Sequence, residues 1–185
     1  MKTVWIDDGS RTRICSVCGF QSWKGDYALG HRPYHAEFVR INFPQTDPRL
    51  GSYGQTDIVV NSTSPKWLHQ LVYERARDLR RLEGYDFTQW PSDHAPNSQH
   101  IHALLLIEPP SIAIGILGFD WMKWTNIRPG WHLNFVWISQ AYRRKGLLAK
   151  RWPHLIHKYG WFTIEHPISQ AMRAFLFKVH HRTAR

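Results

Sequence analysis

The chain has 185 residues, 43% of them apolar, which is enough for one ordinary domain with a real core and a small appendage and excludes a disordered chain. Lys and Arg number 24 against 14 Asp and Glu, a formal charge of +10 with neutral His, so the partner is expected to be anionic: nucleic acid or a phosphate-bearing cofactor. The apolar stretches at 102–107 and 111–119 are separated by Glu108-Pro109-Pro110 and fall short of the roughly 20 residues of a membrane helix, so no bilayer span is expected.

Residues 1–8 hold no apolar run resembling a signal peptide, and Cys15 and Cys18 are the only cysteines. A reducing compartment follows as the expectation: cytoplasmic, or nuclear or nucleoid-associated if the partner is chromosomal. Cys15-x2-Cys18-x12-His31-x3-His35 sets two thiols on a tight knuckle and two imidazoles one helical turn apart. That spacing closes a tetrahedral Zn2+ site. Four ligands leave no open coordination position, so the zinc would be structural, and its binding would drive the folding of a segment that lacks a core of its own. We assign residues 10–40 to this finger. A helix carrying the two histidines would begin near His31, because Ala28-Leu29-Gly30 precede it and Pro33 lies between the ligands. Such a helix starts too late to present a DNA-reading face, which favours packing on a neighbouring domain or a protein over base readout.

Residues 44–54, with Pro44, Pro48, Gly51 and Gly54, read as a linker. A short strand is predicted at 56–61, followed by a helix over 65–83. Its apolar positions are Leu68, Leu71, Val72, Ala76, Leu79 and Leu82, with Ser64 as cap, Pro65 at the first helical position and Gly84 closing it. Residues 85–99 are polar and Pro-rich, a loop. Strands are predicted at 100–107 and 112–121, then a break at 126–130 and a strand at 131–138. A helix over 143–159, bent at Pro153, leads to a buried strand at 161–165 and a last helix over 169–178 capped by Ser169. The order is strand, helix, three strands, helix, strand, helix, with residues 55–185 forming the main α/β (α+β) domain. The ten Trp residues fit extensive aromatic packing, although Trp also stacks on bases.

Between the strand at 131–138 and the following helix stands Arg143-Arg144-Lys145-Gly146-Leu147-Leu148. Glycine at a helix start lets backbone approach a phosphate, the free N–H groups point at it, and three cations raise the potential. A solvated basic turn would look the same in isolation. In this position, however, the segment resembles the Arg/Gln-x-x-Gly-x-Gly/Ala motif of the GCN5-related N-acetyltransferase (GNAT) fold, which holds the pyrophosphate of acetyl-CoA. Leu148 departs from the motif, standing where Gly or Ala is usual. Together with Cys15-x2-Cys18-Gly19-Phe20, His31-x3-His35-x2-Phe38 and Phe135-Val136-Trp137-Ile138, the chain is similar to the cohesion-establishment acetyltransferases, which carry an N-terminal finger and acetylate protein lysines. The resemblance covers about a third of the chain and implies a GNAT-like mixed central sheet flanked by helices.

What the resemblance implies about chemistry is direct attack of an acceptor amine on the thioester. The carbonyl is polarised by a backbone N–H of the strand, where Trp137 and Ile138 are the matching positions. Glu165 is the only acid between Asp120 and the C-terminus and is the candidate base; His166, in the same turn, is a second catalytic candidate. Three readings stand side by side. The first is an acetyl-CoA-dependent N-acetyltransferase acting on a protein lysine or another primary amine. The second is a nucleic-acid-binding or base-modifying protein on a GNAT-like scaffold, motivated by the net charge and the basic C-terminus. The third is an interaction module without cofactor, motivated by Leu148.

Overall fold

The computed structural model describes residues 5–7, 12–17, 21–23, 31–42, 44, 46–54, 57–84, 88–90, 100–124 and 127–183. The chain divides into two compact units: residues 1–45 with 139–141, and residues 46–138 with 142–185.

The first unit contains three strands, β1 (Trp5–Asp7), β2 (Thr12–Cys15) and β3 (Gln21–Trp23), in an antiparallel sheet of order β1-β2-β3 in which Ile6 pairs with Ile14. Helix α1 (His31–Asn42) begins at the residue expected from the sequence. Pro33 is harmless there, because N–H groups in the first helical turn have no carbonyl four residues back to bond. The helix runs past Phe38 to Asn42, whose side-chain amide donates to the Phe38 carbonyl at 3.0 Å.

The second unit contains α2 (Pro48–Gly51), β4 (Asp57–Val60), α3 (Lys66–Glu83), β5 (Ile101–Glu108), β6 (Ile112–Trp124), β7 (Ile127–Ile138), α4 (Leu147–Tyr159), β8 (Thr163–Ile164) and α5 (Gln170–Thr183); of the 3-10 turn that follows β7 (Gln140–Tyr142), only Tyr142 is counted with it. Its sheet has the order β4-β5-β6-β7-β8; neighbours are antiparallel except for β7 and β8, which run parallel. Five consecutive residues of β5, Ala103 to Ile107, are buried, so both faces of the sheet are covered. On one face Leu104, Leu106, Leu117, Phe119 and Leu133 pack with Trp152, Leu155 and Tyr159 of α4, joined by Phe175 and Leu176 of α5. Helix α3 lies against β4 and β6 with Leu68, Leu71, Val72, Ala76 and Leu79 buried.

Several local expectations are corrected. The stretch taken for a linker folds: Asp47 caps α2 by accepting from the Arg49 N–H at 3.0 Å, Pro48 suits a first helical position, Thr46 bridges Ile112, and Leu50 is buried. Ser64 does not cap α3, because its hydroxyl oxygen accepts from the Asn61 N–H at 3.1 Å and Pro65 takes the cap position. Gly84 does close that helix, in the left-handed conformation at φ 72°. Strand β7 starts at Ile127, where a break was expected, because pairing with β6 carries it through Pro129 and Gly130. The strand expected to be buried over 161–165 is two residues long, with Thr163 exposed and Ile164 half-buried. The last helix, capped by Ser169 Oγ accepting from the Met172 N–H at 3.2 Å, continues to Thr183.

Candidate functional site

Helix α4 starts at Leu147, four residues later than the sequence suggested. Arg144 at φ 60° and Gly146 at φ 73° are both left-handed, a backbone that cannot continue a right-handed helix. The first intrahelical bond runs from the Lys150 N–H to the Gly146 carbonyl at 3.0 Å, so the N–H groups of Leu147, Leu148 and Ala149 have no carbonyl four residues back to bond. The three cations before them have separate surroundings. Arg143 turns back: its Nε donates to the Ile138 carbonyl at 2.7 Å and its Nη2 pairs with Glu83 at 3.0 Å. That tethers the turn to the ends of β7 and α3. Arg144 is exposed, and so is Lys145, with its ammonium 4.9 Å from the Tyr142 ring centre. Leu147 and Leu148 pack against the apolar cluster beneath. The residue that departs from the family pattern is therefore engaged with the core.

Upstream of the turn, β7 loses its neighbour on one side. Pairing with β8 covers only His132 with Thr163 and Leu133 with Ile164, and the Glu165 N–H adds one bond to the Leu133 carbonyl at 2.9 Å. Beyond that point, among the described residues, no strand pairs with β7 on the β8 side. At the same place the register with β6 shifts: Leu133 faces Phe119 and Phe135 faces Gly118, which leaves Asn134 as an extra residue in β7. Trp137 and Ile138 follow in register with Ile116 and Gly115. Their strand is anchored on the β6 side by two glycines. A Cβ at Gly118 would stand 2.1 Å from the Phe135 ring, and one at Gly115 would stand 2.5 Å from the Trp137 carbonyl oxygen.

Glu165 leaves the end of β8 with an exposed side chain, and its Oε2 lies 2.6 Å from Nε2 of His132. Because a carboxylate only accepts, Nε2 carries a proton; the other ring nitrogen, Nδ1, lies 2.7 Å from the Thr163 hydroxyl. His132, buried in β7, thus fixes the carboxylate through one oxygen, Oε2. His166 is exposed beside it. Sequence reasoning missed His132: it is one of twelve His, and only the parallel register of β7 with β8 brings it to Glu165. Tyr159 is buried and stacked on Phe119 at 4.1 Å, and burial pushes its hydroxyl well above the ordinary tyrosine range.

In the first unit, Cys15 at the end of β2 meets His31 and His35, one turn apart on α1. The three donor atoms lie within 4.8 Å of one another, with Cys15 Sγ 3.5 Å from His35 Nδ1. A tetrahedral zinc with bonds of about 2.0–2.3 Å spaces its donors by roughly 3.3–3.8 Å, a range that the Cys15–His35 separation meets and that the 4.8 Å limit on the set exceeds. Burial, and next the neighbouring His35, lower the His31 pKa, which favours the neutral imidazole a metal needs. Cys18, the fourth expected ligand, lies outside the described residues.

No family model matches the sequence, and no curated protein matches it. Solved structures do. The xEco2 acetyltransferase domain bound to a K105-CoA conjugate superposes with a TM-score of 0.51 at 14% identity, over 66% of this chain and 86% of that one. The chain carries the fold of an acetyltransferase domain. Lower on the scale stand the aminoglycoside N-acetyltransferase AAC(6')-Iy in complex with CoA (TM-score 0.43, 14% identity, 66% and 88% of the two chains) and a ribosomal-protein-alanine N-acetyltransferase from Brucella melitensis biovar Abortus 2308 (0.40, 8%, 66% and 88%). In the acetyltransferase fold of this chain, the mixed five-stranded sheet with its one parallel pair, β7 and β8, brings the open strand edge, the glycine turn and Glu165 into one unit.

Proposed function

We propose that the chain is an acetyl-CoA-dependent N-acetyltransferase acting on a primary amine, a protein lysine in the first instance. The observation that carries the reading is the open edge of β7: free of β8 beyond Leu133, it runs directly into the left-handed turn at Arg144–Gly146 and the start of α4. Acetyl-CoA supplies an activated acetyl thioester. Arg144 and Lys145, with the N–H groups of Leu147, Leu148 and Ala149, hold its pyrophosphate; Gly146 gives the turn its shape, and Arg143 ties the turn down. Leu147 and Leu148 line the turn by backbone while their side chains remain on the core. Trp137 and Ile138 supply strand backbone beside the thioester, with an N–H polarising its carbonyl. Glu165 accepts the amine proton on Oε1 as the new C–N bond forms and the C–S bond of the thioester breaks, the CoA thiolate leaving and taking up a proton from solvent, with His132 holding Oε2. His166 is the second catalytic candidate.

Cys15, Cys18, His31 and His35 hold one structural zinc in a finger spanning residues 10–40, with the transferase domain at 55–185. This division, like the finger motif, supports kinship with the cohesion-establishment acetyltransferases. Among the described residues no helix is long and apolar enough to cross a membrane, and we place the enzyme in a reducing, cytoplasmic compartment.

The test is acetyl transfer from acetyl-CoA to a tetralysine peptide, followed by thiol release and peptide mass. We expect an acetylated peptide, and a rate lowered about a hundredfold or more in Glu165→Gln with the KM for acetyl-CoA unchanged. A full rate in Glu165→Gln removes the base assignment; tetralysine left unmodified removes lysine as the acceptor.

A further inference from the structure

Several carboxylates of the second unit are committed to partners within the fold. Glu165 is held by His132, Asp57 by Arg151 at 2.6 Å, Asp78 by Arg75 at 3.2 Å and Glu83 by Arg143. Asp120, half-buried on β6, makes no ion pair among the described residues, although Lys and Arg exceed Asp and Glu by ten in the chain. It lines a cavity of about 190 Å³ together with Trp90, Gln89 and Asn134. Trp90, 2% exposed, gives the cavity an aromatic lining residue. Cavities of about 150 Å³ take a six-atom ring, so this one has room for a short alkyl arm.

Register ties the cavity to the candidate active site. Ile101, Asp120, His132 and Thr163 are successive partners across β5, β6, β7 and β8, so they share one face of the sheet. With strands about 4.8 Å apart, Asp120 stands roughly 10 Å across the sheet from Thr163. Asn134, which lines the cavity, is also the extra residue at which β7 shifts register, just where β8 ends.

We propose that this cavity binds a primary alkylammonium arm of the acceptor, the ammonium on the Asp120 carboxylate, while a second amine of the same molecule is presented at Glu165. Assigning the occupant as acceptor rests on the acetyltransferase reading; the binding itself does not. The acceptor is then a molecule with at least two amines, whether a polyamine or a run of lysines. A chain with net charge +10 repels polycations in general, so their binding needs a local acidic site.

The experiment is calorimetric titration of spermidine and, separately, of tetralysine into the full chain without cofactor. Saturable binding of one polycation per chain is expected, weakened tenfold or more in Asp120→Asn and tightened in Gln89→Glu, which adds a second carboxylate to the cavity. Spermidine alone binding identifies a polyamine, tetralysine alone identifies lysine side chains, and both binding identifies the shared arm. Equal affinity in wild type and Asp120→Asn, or no saturable binding of either at millimolar concentration, overturns the proposal. A separate titration of acetyl-CoA reports on the transferase reading, so the two can fail independently.

Discussion

The two units hold themselves together by different means. In the first, the described residues of 1–42 that are buried are Cys15, His31, Ile41 and Asn42, and two of those four are candidate metal ligands. In the second, β5 alone buries five consecutive residues, and aliphatic and aromatic side chains from β6, β7, α4 and α5 complete the cluster. On the zinc reading proposed above, the small sheet and helix of the first unit depend on bonds between side chains and an ion. A five-stranded sheet covered on both faces depends on area removed from water. The difference predicts that each unit can be broken without the other.

The largest effect is expected from metal removal. Zinc bound by such a set is worth about 10–16 kcal/mol to a finger, so a strong chelator, or Cys15→Ser, should abolish the α1 helical signal and release one zinc per chain. The thermal transition of the second unit should stay in place; a first unit that keeps its fold in chelator would refute the metal assignment. In the opposite direction, Leu117→Ala removes a fully buried side chain and should cost about 3–5 kcal/mol in the second unit, with zinc content unchanged by elemental analysis. Gly118→Ala is a finer probe. Its Cβ would meet the Phe135 ring at 2.1 Å, so a loss of about 1–3 kcal/mol is expected, partly recovered in the double variant with Phe135→Leu.

The smallest effect is a pH dependence. Burial on α3 pushes the His69 imidazole below its ordinary value, so the folded state takes up a proton less readily than the unfolded one. Its contribution is present in full above the unfolded value of 6.5 and is lost as pH falls from there through the lowered folded value. Melting temperatures between pH 7.5 and pH 5 should therefore fall less steeply for His69→Leu than for wild type; parallel curves would remove His69 as a source.

Regular elements with strong periodicity were legible in the sequence. Helix α3, closed by Gly84, and the strands expected over 100–107 and 112–121, observed over 101–108 and 112–124, follow from apolar spacing, because long elements bury a whole face. What was not legible depends on partners distant in the chain. The strand over 161–165 was overestimated because parallel pairing with β7 extends only two residues. The start of α4 was placed too early because Arg144 adopts a left-handed backbone that composition does not announce. Glu165 could be singled out by scarcity of acids, yet His132, which holds it, and Thr163, which contacts the other ring nitrogen of His132, come together only through strand register. Likewise the register break at Asn134 carries no sequence signal, although it marks where β7 parts from β8. The Cys15, His31 and His35 cluster was the reverse case, since ligand spacing is itself the signal.

The central claim is that the turn before α4 holds the pyrophosphate of acetyl-CoA, and calorimetric titration of acetyl-CoA into the full chain tests it most directly. Gly146 is a poor control, because at φ 73° any side chain strains the turn. Arg144→Gly is better: it removes a cation while easing the left-handed backbone at φ 60°. The account predicts saturable binding, one molecule per chain, weakened about fivefold or more in Arg144→Gly. Absence of binding at millimolar acetyl-CoA, or binding that Arg144→Gly leaves unchanged, would contradict it.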